Sequence, residues 1–215
     1  AEQFTLIPNG IETALPSMRS RDEVCDSLGV DPQRKLILAV GRLWPQKRYR
    51  DLIWSAELLG TLREDTTLVI VGDGPQRGEL LRHRDAVTNP THVRFCGQRD
   101  DVPALLPHAD AFWIGSEYEG QSNSVIEAMQ AGVPVIASDI PGNRDLVIDQ
   151  ETGRLVELGD TADFARQTNE LLDDPTTAQA LGTNARSRIA SEFSVAAMVQ
   201  RHAALYEQTA SGEQA

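Results

Sequence analysis

Two glutamates separated by seven residues lie in a polar, glycine-bearing stretch near the middle of the chain. Glu119 precedes Gly120, and Glu127 follows in a segment with helical character. Ionised carboxylates accept hydrogen bonds strongly from hydroxyl donors, so a pair facing one crevice can hold the hydroxyls of a sugar nucleotide. A structural interpretation stays open, in which Glu119 is a solvated loop charge and Glu127 is stabilised by the helix dipole.

The same stretch has the features of an anion site. A strand is expected to end at Ser116, and a helix is expected to begin near Ser122 or Asn123. The first amides of a helix have no partner within the helix, and the positive end of its dipole lies there. We therefore expect these amides to point into a crevice at the end of the strand.

Two cations follow another apolar segment. Arg42 and Lys47 come after residues 36–40, and Gly41 permits a close approach of the backbone to a ligand. A guanidinium and an ammonium together suit a diphosphate. The alternative is that both are surface cations at a junction between loop and helix. Arg144, after a later strand, is either a further phosphate partner or a solvated arginine.

An alternation of β-rich and helical segments must position these residues. The β-rich runs cover residues 5–8, 35–41, 67–72, 92–97, 109–115, 133–138 and 154–157, and amphipathic segments cover 48–63, 75–87, 123–131 and 161–172. Several runs are apolar on both faces, as in parallel strands covered by helices on each side. The sequence predicts an α/β fold with a doubly wound, Rossmann-like parallel sheet of about six strands. Ligands of such sheets bind outside the carboxyl ends of the strands.

After residue 157 the pattern predicts helices alone. Thr161, Asp174 and Ser194 are candidate caps for three successive helices, the last over about 194–209. That final helix carries an apolar stripe at three-and-four spacing, which needs a cover. The stripe comprises Val195, Met198, Val199, His202, Leu205 and Tyr206. Residues 8–10 and 141–143 are predicted to be tight loops.

Composition limits the class of protein. The 215 residues, 40% of them hydrophobic, suffice for one domain with a core, and the net charge of −12 argues against a nucleic acid as main partner. No apolar run approaches the roughly 20 residues of a membrane-spanning helix. Cys25 and Cys96 give no disulfide framework, so a reducing, cytoplasmic setting is expected. Because the chain begins without Met, we expect it to be part of a longer protein.

Several common sites are missing from the sequence. The four histidines have no ligand spacing among themselves or with the cysteines, and no Asp-x-Asp occurs, so no metal site is predicted. Gly72-x-Gly74 is the nearest approach to a dinucleotide fingerprint, and it lacks the third glycine. Neither a Walker-type loop nor a nucleophile elbow occurs. These observations exclude nicotinamide, flavin, ATPase and serine-hydrolase readings.

Taken in order, the motifs resemble the C-terminal, donor-binding domain of family 4 glycosyltransferases, which have the GT-B fold. The segments that carry the resemblance are Ile7-Pro8-Asn9-Gly10-Ile11, Gly41-Arg42-Leu43 with Lys47, Gly72-Asp73-Gly74-Pro75, Phe95-Cys96-Gly97, Ser116-Glu117-Tyr118-Glu119-Gly120, Glu127-Ala128-Met129, Ala131-Gly132-Val133-Pro134-Val135 and Glu192-Phe193-Ser194. Together they span nearly the whole chain.

The resemblance implies a role for each matching residue. Arg42 and Lys47 would bind the diphosphate of a UDP- or GDP-linked sugar and stabilise the leaving phosphate, Glu119 would contact the transferred sugar, and Glu127 would hold the ribose hydroxyls. The distal phosphate would meet the backbone from Gly120 through Gln121, Ser122, Asn123 and Ser124. The loop 97–102, with Gly97 and Arg99, would border the base. The implied reaction is a metal-independent sugar transfer with retention of configuration, without a cofactor.

The resemblance also implies an N-terminal acceptor domain that this chain lacks. We expect residues 1–215 to bind the donor weakly and to transfer nothing alone. The acceptor and any peripheral contact with a membrane would belong to that other domain. Alternatives are a non-catalytic nucleotide-sugar binding module and half of a GT-B sugar-nucleotide epimerase.

The chain departs from the family pattern at several positions, which leaves its sugar preference open. Arg48 stands where glycine is frequent, and the polar run 121–124 replaces an aliphatic one. Residues 141–143 replace a glycine pair, and Asp145 stands where glutamate is commoner.

Overall fold

Six parallel strands form one sheet in the part of the chain that the structure, a computed structural model, describes, residues 5–12 and 18–211. The strands are β1 (Lys35–Val40), β2 (Thr66–Val71), β3 (Val93–Gly97), β4 (Ala111–Ile114), β5 (Val135–Ser138) and β6 (Arg154–Val156). Their order across the sheet is β3-β2-β1-β4-β5-β6. This is the doubly wound order, and it confirms the predicted fold class.

Nine helices surround the sheet within the described ranges. They are α1 (Arg21–Leu28), α2 (Tyr49–Leu62), α3 (Arg77–Val87), α4 (Val102–Leu105), α5 (Asn123–Ala131), α6 (Pro141–Arg144), α7 (Thr161–Asp173), α8 (Pro175–Glu192) and α9 (Val195–Ser211). Short 3-10 turns at Pro45–Lys47 and Leu106–His108 complete the fold. No helix in these ranges is long and apolar enough to cross a membrane.

The sheet is buried on both faces. Successive residues of a strand point to opposite faces, and helices cover each face. Leu38 and Phe112 belong to one core, which α1, α5 and α8 cover, whereas Ile37 and Trp113 belong to the other, under α2, α3 and α7. All four side chains are at most 1% exposed. The continuous apolar runs in the sequence thus reflect a sheet with helices on each side.

The helix α1 was not among the predicted elements. It has eight residues and few apolar positions, so its periodicity is weak. Its start is nevertheless marked by a capping box, in which Ser20 accepts from the Glu23 amide and the Glu23 side chain accepts from the Ser20 amide. The Ser-x-x-Glu spacing was the available signal.

The predicted strand over residues 5–8 is wrong. These residues form neither strand nor helix, and the N-terminal segment joins the start of α9 rather than the sheet. The Ile11 amide donates to the Phe193 carbonyl (2.8 Å), and the Val195 amide donates to the Ile11 carbonyl (3.3 Å). Gly10 packs so closely here that a Cβ would lie 2.6 Å from the Cα of Val195. Backbone bonds at Ile11 therefore hold this segment against the start of α9, whereas Leu6, within the predicted strand, is 84% exposed.

The helical tail follows the prediction with small corrections. Asp160, rather than Thr161, caps α7 by accepting from the Asp163 amide, and Asp174 caps α8 as predicted. The final helix begins at Val195 and ends at Ser211, against the expected 194–209. Residues 141–144 form one helical turn rather than a tight loop.

The apolar stripe on α9 is incompletely covered. Val199 is 56% exposed and Tyr206 is 69% exposed. Met198 is partly buried, and its sulfur accepts a hydrogen bond from the Gly10 amide (3.2 Å). The described part of the chain thus leaves an apolar face open to solvent, as the pattern indicated.

The topological switch point lies between β1 and β4. These two strands are neighbours, paired through Ile37 with Ala111, and the chain continues from them to opposite halves of the sheet. Loops that leave such neighbouring strands open a crevice between them. The segments after β1 and β4 carry the cations and glutamates singled out in the sequence.

Candidate functional site

A crevice of about 540 Å³ opens between the loops that follow β1 and β4. Its lining is mostly polar and charged. The lining residues are Val40, Gly41, Arg42, Trp44, Gln46, Lys47, Glu119, Gln121, Ser122, Asn123, Ser124 and Glu127. The structure thus brings together the predicted cations, both glutamates and the polar run 121–124.

The loop after β2 braces the loop after β1. The Leu43 amide donates to the Asp73 carbonyl (2.9 Å), and a Cβ on Gly72 would lie 1.9 Å from the Gly41 carbonyl oxygen. A Cβ on Gly74 would lie 2.7 Å from the Leu43 carbonyl oxygen. The two glycines therefore allow backbone to pack on backbone, which explains the Gly72-x-Gly74 pattern without a ligand.

Gln46 ties the two walls of the crevice together. Its carbonyl accepts from the Glu117 amide (2.8 Å), and its side-chain oxygen accepts from the Tyr118 hydroxyl (2.8 Å). The walls come from segments separated by about 70 residues in the chain. These bonds fix the width of the crevice. The sequence analysis did not identify Gln46 or the half-exposed Trp44 beside it.

Lys47 and Glu119 form an ion pair inside the crevice. The Lys47 Nζ lies 2.5 Å from Glu119 Oε1, and the Ser116 hydroxyl donates to the same oxygen (2.6 Å). The two charged side chains are 17% and 9% exposed. A group predicted to bind phosphate thus neutralises a group predicted to bind the sugar.

Tyr49 lies directly beneath this pair. Its side chain is 3% exposed, and its hydroxyl would lie 3.1 Å from a Cβ on Gly41. Burial, with a smaller contribution from the nearby Glu119 carboxylate, raises the pKa of the Tyr49 phenol well above its usual range. Tyr49 is therefore neutral, and it is buried behind Gly41 of the crevice lining. It was missed because a single aromatic residue at a helix start resembles ordinary core.

Arg42 is exposed on the crevice wall. Its guanidinium has no hydrogen-bond or ion-pair partner among residues 5–12 and 18–211. Lys47, in contrast, is already paired with Glu119. Arg42 is thus the cation of the pair that can bind an anion without first giving up a protein contact.

The N-terminus of α5 reaches the crevice without a side-chain cap. Ser122 is the N-cap residue, but its hydroxyl lies 3.2 Å from the Ser124 hydroxyl instead of capping the helix. The first amide bonded to the N-cap carbonyl is that of Ile126. The amides of residues 123–125 precede it and are the ones that a helix leaves unpaired. Their direction and the helix dipole favour an anion in the crevice.

Glu127 lies one turn into α5 and is half-buried. It has no hydrogen-bond partner in the described ranges. Burial raises the pKa of this carboxyl above its ordinary value. A partly desolvated carboxylate with unused acceptor positions suits a ligand that offers hydroxyl donors.

Gly97 and Arg99 lie outside the crevice lining. The Arg99 guanidinium donates to both carboxylate oxygens of Asp101 (2.8 and 2.7 Å) and to the Ser27 carbonyl (3.1 Å). This ion pair holds the pKa of Asp101 at about 2. The Gly97 carbonyl accepts from the Gly72 amide (2.7 Å), which places Gly97 at the edge of the sheet.

Two further predicted residues have side-chain partners within the protein. Gln121 lines the crevice, but its side-chain amide pairs with the backbone of Asn9, at 2.8 and 3.2 Å. Arg144 forms a bidentate pair with Asp139 (2.5 and 3.0 Å) and is exposed. Gly120 is exposed beside the crevice and would accommodate a Cβ without contact.

No group of three histidine, cysteine, aspartate or glutamate side chains is arranged to hold a metal ion within the described ranges. The expectation that the site works without a metal stays a prediction. The positive charge in the crevice comes from Arg42, Lys47 and the start of α5.

Comparison with known proteins gives consistent matches. The model of the family described as Glycosyl transferases group 1 matches residues 20–188. The UDP-Gal:alpha-D-GlcNAc-diphosphoundecaprenol alpha-1,3-galactosyltransferase of Escherichia coli is 31% identical over 209 residues. The match covers 95% of this chain and 54% of that protein.

Two solved structures resemble the chain closely. The Anabaena HepE protein, crystallised with UDP and glucose, superposes with a TM-score of 0.85 at 25% identity, over 94% of this chain and 56% of its own. The sucrose-phosphate synthase of Thermosynechococcus elongatus gives a TM-score of 0.82 at 30% identity, over 99% and 54%. The chain spans about half the length of the relatives that it matches.

Proposed function

The chain belongs to the group 1 glycosyl transferase family, and from this premise we propose that its crevice binds the nucleotide diphosphate sugar that donates the glycosyl group. The observation that carries the proposal is the convergence of Arg42, Lys47 and the uncapped start of α5 beside two glutamates. Cations and free amides suit a pyrophosphate, and carboxylates suit the hydroxyls of the sugars on either side of it.

The pyrophosphate is proposed to lie between the cations and the amides of residues 120–124. Arg42 is free to bind it, and Lys47 becomes available when phosphate competes with Glu119 for its ammonium group. The released Glu119 carboxylate is then able to accept hydrogen bonds from the transferred sugar. Ligand binding would in this way replace one ion pair with two sets of contacts.

Glu127 is proposed to hold the ribose. Its carboxylate is half-buried and has no hydrogen-bond partner among the described residues, one turn inside the helix whose start is proposed to bind the phosphate. The two hydroxyls of a ribose are suitable donors for its two oxygens. Those hydrogen bonds favour the ionised form and counteract the effect of burial on the pKa.

The proposed reaction is a transfer with retention of configuration and without a metal. As the bond between the sugar and the phosphate breaks, Arg42, Lys47 and the dipole of α5 stabilise the charge that develops on the leaving phosphate. The acceptor hydroxyl would attack from the same face and give its proton to that phosphate oxygen. The acceptor is proposed to be positioned by a second domain, since this chain spans about half the length of the relatives that it matches.

The structural relative with UDP and glucose supports UDP as the first nucleotide to test, and the E. coli relative supports a hexose as the transferred sugar. GDP-linked donors stay open. The alternatives of a non-catalytic binding module and of an epimerase half keep the same crevice and differ only in chemistry.

Calorimetric titration of the 215-residue chain with UDP, GDP, ADP and pyrophosphate tests the proposal. We expect one nucleoside diphosphate to bind more tightly than pyrophosphate, because Glu127 adds contacts to the ribose. Absence of binding by all three nucleotides would refute the site. A separate assay for sugar transfer should give no product, because desolvation and acceptor positioning need a second domain.

A further inference from the structure

Three buried polar side chains form a hydrogen-bonded chain behind the loop that carries Glu119. The Asn143 amide nitrogen donates to the carbonyl (2.9 Å) and hydroxyl (3.2 Å) oxygens of Ser138. The Ser138 hydroxyl donates to the Ser116 carbonyl (2.5 Å), and the Ser116 hydroxyl donates to Glu119 Oε1 (2.6 Å). The chain of bonds thus leads from β5 and α6 to the carboxylate in the crevice.

Burial makes this arrangement informative. Ser116, Ser138 and Asn143 are each 0% exposed, and the side-chain oxygen of Asn143 has no hydrogen-bond partner in the part of the chain that the structure describes. Burying polar groups is unfavourable unless their bonds are made, and an apolar residue would fill the same space at lower cost. The polar groups are therefore better explained by what they hold in place than by core packing.

A second restraint acts on the same loop. Gly142, next to Asn143, lies against the Glu119 backbone, and a Cβ there would lie 2.2 Å from the Glu119 carbonyl oxygen. The Ser138 hydroxyl holds the carbonyl at residue 116, and Gly142 meets the carbonyl at residue 119. The end of β5 and the start of α6 thus contact both ends of the turn 116–119.

We propose that Ser138 and Asn143 are positioning residues for Glu119. Neither lines the crevice, so neither touches a ligand there, and both act through Ser116. The inference rests on the proposed function, in which Glu119 meets the transferred sugar. It deepens that function by assigning the sugar end of the donor to the β5 side, whereas Arg42 and Lys47 come from the loop after β1.

Amide hydrogen exchange of the ligand-free chain tests the positioning role directly. The Glu117 amide, bonded to the Gln46 carbonyl, reports the loop. Ser138→Ala should speed its exchange about fivefold, the equivalent of one ordinary hydrogen bond, with no change in β1 or α2. The matched control is Ser55→Ala, which removes a buried hydroxyl bonded to the Asp51 carbonyl within α2. It should leave Glu117 unchanged.

Unchanged exchange at Glu117 in Ser138→Ala, or an equal increase throughout the chain, overturns the proposal. Asn143→Ala serves as the second variant and should act in the same direction. Because this measurement needs no ligand, it decides the positioning role even if the nucleotide titrations refute the proposed function.

The sugar end is tested by titrating UDP and UDP-glucose. Ser138→Ala should weaken UDP-glucose about fivefold relative to UDP, since one hydrogen bond that orients Glu119 is lost. An equal effect on both ligands, or none on either, would contradict the assignment to the sugar end. Failure of the wild-type chain to bind either ligand counts against the proposed function rather than against the exchange result.

Discussion

Lys47 and Glu119, from the loops after two neighbouring strands, meet in a 2.5 Å ion pair at the centre of the crevice. The pair closes the crevice across the switch point of the sheet and is largely shielded from solvent. Each partner therefore has a structural role without ligand and a proposed binding role with it. The two roles are separable by experiment.

Lys47→Met should lower the free energy of unfolding by about 1–3 kcal/mol, because the Ser116 hydroxyl is then the one partner left to the Glu119 carboxylate among the described residues. Adding Glu119→Gln should restore much of that loss, since no charge is left unpaired. Urea denaturation at neutral pH measures both. The control Arg50→Met breaks the exposed pair with Glu79 and should cost less than about 1 kcal/mol. Equal losses of stability in Lys47→Met and Arg50→Met would contradict this account.

Arg42→Ala should weaken nucleoside diphosphate binding about ten- to hundredfold, which is the effect of losing one charge-assisted hydrogen-bonded contact. Stability should hardly change, because Arg42 has no protein partner in the described ranges. Calorimetry and thermal unfolding give the two readouts. Arg82→Ala, an exposed arginine on α3, is the matched control and should retain full affinity. Retained affinity in Arg42→Ala would remove this residue from the site.

Glu127→Gln should be at least as stable as the wild type at neutral pH and should bind nucleotides less well. Burial raises the pKa of Glu127 above its ordinary 4.5. At pH values between the unfolded and the folded pKa, the folded state therefore holds more protons than the unfolded state. The stability contribution of Glu127 is therefore present at low pH and is lost as pH rises through the folded pKa. Thermal unfolding of both proteins across this range measures the difference. A larger wild-type advantage at neutral pH than at acidic pH would reverse the sign and contradict the prediction.

Nucleotide affinity should also depend on pH through Glu127. In the proposed complex the ribose hydroxyls donate to the ionised Glu127 carboxylate, so affinity should fall as pH is lowered through the raised pKa of Glu127. The same titrations with Glu127→Gln should show a weaker dependence.

Gly72→Ala should destabilise the chain by about 2 kcal/mol or more, because its Cβ would collide with the Gly41 carbonyl and the residue has a φ of 141°. Gly78→Ala, within α3, should stabilise by about 0.5–1 kcal/mol, because its Cβ meets only the end of the Arg82 side chain. Chemical denaturation compares the two. Similar values for both variants would show that backbone packing at Gly72 does not support the crevice.

The chain alone should associate with itself as concentration rises, through the open face of α9. Val199 and Tyr206 are large, apolar and more than half exposed. Sedimentation velocity should detect the association, and Val199→Lys should weaken it. A chain that stays monomeric at every concentration would show that this face needs no cover.

The sheet and the main site residues were predictable because their signals are local. The strand β1 is a continuous apolar run, and Arg42 and Lys47 follow it directly. In a parallel sheet, the carboxyl ends of adjacent strands must meet, so two loops predicted separately converge on one crevice.

The remainder depends on contacts between distant segments. Residues 5–8 have a β-rich pattern, yet they form no strand, and it is Ile11 that bridges to Ser194 before α9. Arg99 donates to the Ser27 carbonyl, 72 positions away, and the role of its loop beside a base stays a prediction. The bonds from Ser138 to Ser116 and from Gln121 to Asn9 join residues 22 and 112 positions apart. Periodicity carries no information about such pairs.

The uncapped N-terminus of α5 links the stability of the fold to the proposed binding of an anion, because a cap would favour the first and hinder the second. Ser122 occupies the N-cap position, yet its hydroxyl lies next to that of Ser124 and does not cap the helix. The first amides of α5 are therefore available to a ligand. An aspartate at this position would cap the helix and stabilise the fold. It would also occupy the proposed phosphate position and repel a phosphate by its negative charge. Variants selected only for thermal stability are therefore expected to bind the proposed donor with lower affinity.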